Sequence, residues 1–483
     1  MKINQLESNH FYANTRCKKH LTTFASSSSN NKLAIEKFNE AKKYADAAIL
    51  MDGKVDLNNK KLLEKLEGLQ YGIKAFEGVN ITQISLLYQA LKFILLDRSC
   101  SNECEHCFVE ALPKNKTPLN VLKTMSWEDF NTMADAFFTM DSRLGLKGDI
   151  RRWPVIPFFD SDSMEIILSD KTGKEYDMVD IADIFKTKMG AQTVFDTSGW
   201  NPKSEKMQKR AEKYVSEMLE GFENNSPKFS NIHLSLNPFH KIYSKSIELM
   251  EKDPAEAKRL RSLYVERMAN VFYTFTPLFE RKELTFLNRA VDDKLDCNEN
   301  YKVKAHRQLI SEIRESLENK YRISGMEEDE ISKNLALFDM RANNIQPDRL
   351  KVVGRMKNIF PEDAKERRYS ENIVKKDVKN PLKMLSNDYW SLYIDVNGKV
   401  YLNDQFAVAP TDIHLNFENK EKEALKIGLK ATKSLSTDAI LKELHSPTMV
   451  LKTALKKMKF VLRHYLMKLS QGGASKLRQL IRK

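Results

Sequence analysis

Cysteine is scarce in this chain, at five in 483 residues. So few thiols exclude a disulfide-stapled fold and fit a reducing compartment, so a cytoplasmic location is expected. No run approaches the roughly 18 consecutive apolar residues of a membrane helix, so no transmembrane span is expected. The opening Met1-Lys2-Ile3-Asn4-Gln5-Leu6-Glu7 has no apolar run behind its basic residue, and no secretory signal is expected there. A mean hydropathy of −0.51 with 30% charged residues favours a soluble chain, while 41% hydrophobic residues supply a real core. Evenly spread charge is missing as well. The net charge is +13, but residues 421–483 hold fifteen Lys/Arg against four Asp/Glu and so carry +11 of it. The basic character belongs to the tail, and about +2 is left for the first 420 residues.

Three of the five cysteines sit within eight residues, in Cys100-Ser101-Asn102-Glu103-Cys104-Glu105-His106-Cys107. Random placement of five cysteines would give this C-x3-C-x2-C spacing with a probability on the order of 10⁻⁴, so the spacing needs a chemical reason. Three thiolates this close suit one polynuclear metal centre. A cubane iron–sulfur cluster wants one outer ligand on each of its four irons. Three local thiolates leave one iron for a ligand that is not protein.

The chain around this loop has a rhythm. Residues 32–51, 62–69 and 81–90 read as helices ahead of it, after a Ser/Asn-rich linker at 24–31. Leu91-Lys92-Phe93-Ile94-Leu95-Leu96 reads as a buried parallel strand that feeds into the cysteine loop. Ser126 reads as the N-cap of a helix with Glu128 and Asp129 in its first turn. Strands are expected at 153–159, 193–197, 232–236, 284–287 and 350–353. Helices are expected at 178–189, 204–223, 255–279 and 306–321. Strands alternating with helices imply a parallel sheet, and five or six such units curve into a full or partial barrel. The expected fold is α/β, a partial (β/α)6 TIM-like barrel over 89–355. An N-terminal leader and helical extension (1–88), a β-hairpin region (356–415) and a basic helical C-terminal extension (416–483) flank it. In such barrels the chemistry sits at the C-terminal ends of the strands. The cysteine loop, Asp160-Ser161-Asp162, Thr197-Ser198-Gly199 and Asn237-Pro238 all follow strands in that way. Later, alternating apolar residues flank Asn397-Gly398, a strong hairpin signal.

An early strand, a C-x3-C-x2-C loop and repeated βα units together resemble the radical S-adenosylmethionine (radical SAM) superfamily, over roughly residues 89–355. The resemblance implies a [4Fe-4S] cluster on Cys100, Cys104 and Cys107, with S-adenosyl-L-methionine chelating the open iron. It implies an enzyme that needs an electron donor and generates a 5′-deoxyadenosyl radical to modify a substrate. The residue before the third cysteine is usually aromatic in the family, and here it is His106. Where the family usually reads Gly-Gly-Glu-Pro, this chain reads Phe159-Asp160-Ser161-Asp162, with Asp162 at the place of the Glu and neither glycine present. Ser198 lies in a turn similar to the family's Thr-Asn-Gly. Ser235 and Asn237 stand where polar residues reach the ribose and carboxylate. The hairpin is similar to the stretch that opens auxiliary-cluster domains of peptide-modifying members. No cysteine follows Cys297, so an auxiliary cluster lacks its ligands.

Alternatives stay open at the level of sequence. The loop can be read as a Cys3His zinc site in a non-catalytic nucleic-acid-binding module, although zinc sites usually pair two C-x2-C knuckles and no second pair exists here. Among enzyme readings the substrate is a peptide or an RNA. The tail carries an apolar stripe at Leu451, Leu455, Met458, Leu462, Tyr465 and Leu469. The favoured reading packs that stripe on the domain and leaves a solvated basic face, and the alternative gives that face to an acidic partner, nucleic acid or an anionic membrane surface. Cys17 and Cys297 read as spare thiols, and His233 and His240 as structural.

Overall fold

The computed structural model describes residues 29–52, 57, 59–105, 107, 111–113, 115–117, 124–145, 156–157, 161–236, 238–288, 301–342, 391–403, 408–418, 434–446 and 458. It is a mixed α/β structure. Its helices are α1 (Ser29–Asp52), α2 (Lys60–Lys65), α3 (Ile81–Ala90), α4 (Trp127–Leu144), α5 (Met178–Met189), α6 (Glu205–Glu223), α7 (Lys241–Glu248), α8 (Pro254–Phe275), α9 (Tyr301–Ile323), α10 (Glu328–Ala342) and α11 (Thr437–Leu444). Its strands are β1 (Leu91–Ile94), β2 (Leu168–Ser169), β3 (Glu175–Tyr176), β4 (Thr193–Thr197), β5 (Phe229–Leu236), β6 (Leu284–Asn288), β7 (Ser391–Ile394), β8 (Lys399–Asn403) and β9 (Val408–His414). No described helix is long and apolar enough to cross a membrane.

Local chemistry sets the helix ends. Ser126 accepts from the Asp129 N–H at 3.0 Å at the start of α4, and Gly145 ends it in the left-handed conformation at φ 67°. Asp177 forms a reciprocal capping box with Asp180 at α5, and Ser204 caps α6. Each satisfies backbone donors that the first helical turn leaves unpaired. The buried side chains of α6 (Ala211, Tyr214, Val215 and Met218) recur every three or four residues and form one face.

β4, β5 and β6 form a parallel sheet, with Phe195 opposite Ile232 and Leu234 opposite Phe286. The connections run through α6 and then through α7 and α8, as the βα rhythm implies. α8 packs against α6, α7 and α9. β1 belongs to a second sheet of order β1-β7-β8-β9. On its other side β1 meets residues 156–157 in a parallel bridge, with the Ile94 N–H on the Ile156 carbonyl at 3.0 Å. Among the described residues neither sheet closes on itself.

The Asn-Gly hairpin forms as β7 and β8, but its place is not legible from local pattern. β7 pairs in parallel with β1, so residues 391–403 lie beside the strand that leads into the cysteines. Gly398 holds φ 82° in its turn, and a Cβ there would lie 2.6 Å from the Leu415 carbonyl oxygen. Only glycine takes this conformation at this approach without strain.

The expected strand at 350–353, residues 1–28 of the leader and most of the basic tail lie outside the described residues, as does most of the strand expected at 153–159; the last residues of the linker expected at 24–31 instead open α1, which starts at Ser29. α7, α10, the short β2–β3 ribbon and β9 go beyond the elements that the sequence pattern predicts.

His306, on α9, is 1% exposed, and neither ring nitrogen has a hydrogen-bond partner among the described residues. Burial pushes its pKa down from 6.5 to about 4. The folded state therefore keeps the ring neutral while the unfolded chain protonates it near 6.5. This contribution is complete above pH 6.5 and is lost progressively as pH falls toward 4, by about 3 kcal/mol in all. His306→Leu should flatten urea-unfolding stability across that window and cost nothing at pH 7. An unchanged acid slope would show that other groups set it.

Candidate metal centre

The backbone carries β1 straight into the cysteine loop. Leu95 N–H donates to the Ile394 carbonyl at 2.8 Å, and Leu96 N–H to Pro157 at 3.3 Å. Asp97, 1% exposed, then turns the chain. Its carboxylate accepts from the Ser99 N–H (2.8 Å) and hydroxyl (2.5 Å) and from the Thr124 hydroxyl (3.1 Å). Cys100 N–H donates to the Leu112 carbonyl at 3.1 Å.

Beyond Cys100 the loop is tied down from several sides. Glu105 N–H donates to the Phe239 carbonyl at 2.8 Å, so the segment after β5 holds the loop between its second and third cysteines. Cys107 N–H donates to the Cys104 carbonyl at 3.1 Å, and the Cys107 Sγ accepts from the Ala111 N–H at 3.3 Å. Glu103 takes φ 43°, rare for a residue with a side chain. It forms ion pairs with Lys116 (2.7 Å) and Lys241 (2.8 Å). Burial alone would raise the Glu103 carboxyl, but the two lysines outweigh it and hold it below its usual range.

A polar network joins the loop to the tips of two other chain segments. Asn102 Nδ2 donates to Asp162 Oδ2 at 3.1 Å and lies 3.5 Å from the Cys100 sulfur. Asp162 also accepts from the Ser198 N–H (2.7 Å) and the Met164 N–H (3.0 Å). Arg267 on α8 bridges Asn102 Oδ1 and the Gly199 carbonyl. The Ser101 N–H and hydroxyl both donate to Glu165. Gly199 (φ 84°) allows this approach, since a Cβ there would meet Val271 Cγ2 at 2.7 Å.

Of the residues singled out in the sequence, Cys100 and Asp162 are thus brought together at Asn102, and Asp162 ties in Ser198. Ser161 lies beside Asp162 with its hydroxyl buried. Ser161 Oγ, Trp200 Nε1 and Arg267 Nε have no hydrogen-bond partner among the described residues. Ser235, at the end of β5, contacts His240. Its hydroxyl lies 3.3 Å from His240 Nε2, and His240 Nδ1 lies 2.6 Å from the Tyr264 hydroxyl. His240 is 3% exposed and sits within this chain of contacts. His106, Asp160 and Asn237 lie outside the described residues. Asn102, Glu165 and Arg267 join the site without having been singled out in the sequence. Asn102 lies inside the cysteine motif and Glu165 three residues after Asp162, whereas nothing local marks Arg267 on its helix.

The electrostatics around Cys100 disfavour a bare thiolate there. Burial raises the Cys100 thiol well above its usual range, and the negative charges of Cys104, Glu165 and Asp162 push it further. Burial also raises Asp162 to about 7, helped by Glu165, and the N–H donors only partly offset this. Cationic iron would reverse that balance, because metal binding stabilises the deprotonated ligand. The local chemistry is compatible with such a group: three free thiols in one loop, carboxylates beside Cys100, and buried polar atoms of Ser161, Trp200 and Arg267 with no hydrogen-bond partner among the described residues. No three His, Cys, Asp or Glu side chains among the described residues are grouped to hold a metal ion. A single ion needs its ligands to meet at one point, about 2.3 Å from each sulfur for zinc. A cubane instead gives each thiolate its own iron, so its sulfurs do not converge.

No protein-family model matches the chain, and no curated protein matches it in a sequence search.

Proposed function

We propose that this chain is a radical SAM enzyme with one [4Fe-4S] cluster, built on a partial (β/α)6 barrel. The observation that carries the reading is the position of the cysteine loop. It leaves the C-terminal tip of β1, a strand flanked by parallel neighbours, and Asn102 joins it to Asp162 and to the Ser198 turn after β4. Active sites of parallel barrels lie at this end of the strands. The parallel β4-β5-β6 sheet, and the parallel bridge from β1 to 156–157, support the barrel.

In this reading Cys100, Cys104 and Cys107 would hold the cluster through their thiolates, and S-adenosyl-L-methionine would bind at the iron they leave open. The chemistry supplied by the bound group is one-electron cleavage of the sulfonium, which gives methionine and a 5′-deoxyadenosyl radical. The chain's own residues hold and orient. Asp160, Ser161, Asp162 and Ser198 are assigned to the methionine end. His106, Ser235 and Asn237 are assigned to the adenosine half. Arg267 fixes Asn102 and the Gly199 turn against each other. The substrate class is a peptide, with RNA as the alternative suggested by the basic tail. A zinc-stabilised module without catalysis is the competing reading.

Anaerobic reconstitution with iron and sulfide should give a brown protein with the broad visible absorbance of thiolate–iron charge transfer. Reduction in the presence of S-adenosyl-L-methionine should release 5′-deoxyadenosine. A colourless protein holding one zinc per chain would reject the proposal in favour of the module.

A further inference from the structure

The cysteine loop is anchored by residues far away in the sequence. Arg98, two positions before Cys100, places its Nη2 3.2 Å from Asp395 Oδ2, across 297 residues. The two side chains are 1% and 0% exposed. Asp395 is itself fixed by the hairpin turn. Its Oδ1 accepts from the Asn397 N–H (2.8 Å) and the Lys399 N–H (3.1 Å), and its own N–H donates to the Lys399 carbonyl (2.9 Å). The register of β1 on β7, with Ile94 opposite Ile394, brings Arg98 to that turn.

Stability does not account for such a pair. Desolvating two charges commonly offsets their attraction, and well-packed apolar residues often serve a fold as well or better. What an ion pair adds is a fixed geometry, and this one fixes the residue at which the strand becomes the cysteine loop. We propose that Arg98 and Asp395 are positioning residues for the metal centre: the hairpin turn presents Asp395 as a rigid post that sets the path of the chain into Cys100. The inference rests on the cluster reading, and it makes the C-terminal hairpin an integral part of the cluster site.

The test compares four proteins: wild type, Asp395→Asn, the double variant Arg98→Met/Asp395→Asn, and Arg98→Lys. Asp395→Asn keeps an oxygen for the turn's N–H groups but strands a buried cation, so both thermal stability and iron retention should fall. The double variant removes the stranded charge. It should regain most of the wild-type melting temperature yet hold iron roughly 10–100-fold more weakly in a chelator competition, the usual cost of losing a residue that orients a ligand. Arg98→Lys, which keeps the cation, should recover most of the iron affinity. In iron-free protein, alkylation of Cys100 measured against Cys17 and Cys297 should speed up about tenfold in the double variant as the loop loosens. A double variant that regains stability and iron affinity together, with Cys100 alkylated at the wild-type rate, overturns the inference and leaves the cluster reading standing. Wild-type protein that binds no iron, with Cys100 still released by the double variant, sinks the cluster reading while the positioning of the loop holds.

Discussion

Cys104→Ala should strip the reconstituted protein of its iron, from about four atoms per chain to below one, while its circular dichroism stays that of the wild type. The side chain is half-buried in the loop and is not part of the hydrophobic core. The Cys104 carbonyl accepts from the Cys107 N–H, and alanine keeps that carbonyl. The substitution therefore reads ligation by the thiol rather than loss of the loop. A cluster with two remaining thiolates in one loop has two irons without protein ligands, and exposed clusters of that kind fall apart under oxidation. Iron analysis beside thermal unfolding decides the matter. A variant with full iron content would remove the cysteine loop from the site.

Asp162→Ala should be the most damaging single change to the fold around the site. The side chain is 4% exposed and accepts from the Ser198 N–H, the Met164 N–H and Asn102 Nδ2. Alanine leaves three buried donors without an acceptor, at about 1–3 kcal/mol each. Some of that returns because a carboxyl raised by burial is itself costly to ionise, so a net loss of about 3 kcal/mol is expected. Asp162→Asn retains one oxygen for the Ser198 and Asn102 donors and should lose about half as much. Urea unfolding with iron-free protein measures both. Equal midpoints for wild type and Asp162→Ala would mean that the network contributes nothing, and the tie between the cysteine loop and the β4 tip would have to be abandoned.

Much of the secondary structure is legible because its signals are local. Ser126, Asp177 and Ser204 act on N–H groups two or three residues away, and α5 and α3 begin and end where the sequence pattern puts them. Helical periodicity over 306–321 anticipates α9, which extends further at both ends. α10 escapes the sequence pattern, although Glu328, Asp329 and Glu330 fill its first turn with the acidic residues that favour a helix start. α7 is short and follows a strand tip, where turn residues mask its pattern. Ser235 shows the limit for site residues. A serine at a strand end has the same local signature whether or not it faces a ligand, and its contact with His240, five residues on, is seen only in the structure.

By itself the sequence determined the C-x3-C-x2-C loop, the strand that leads into it, the βα alternation and the Asn-Gly hairpin. Each depends on side chains within a few positions of one another, through spacing, capping or periodicity. Only the tertiary structure decided that Asp162 joins Asn102 to Ser198, that Arg267 ties Asn102 to Gly199, and that the hairpin lies against β1 with Asp395 on Arg98. Those contacts span 36 to 297 positions of chain. They follow from which strand lies beside which, and strand order is settled by how the buried faces of all the elements pack together.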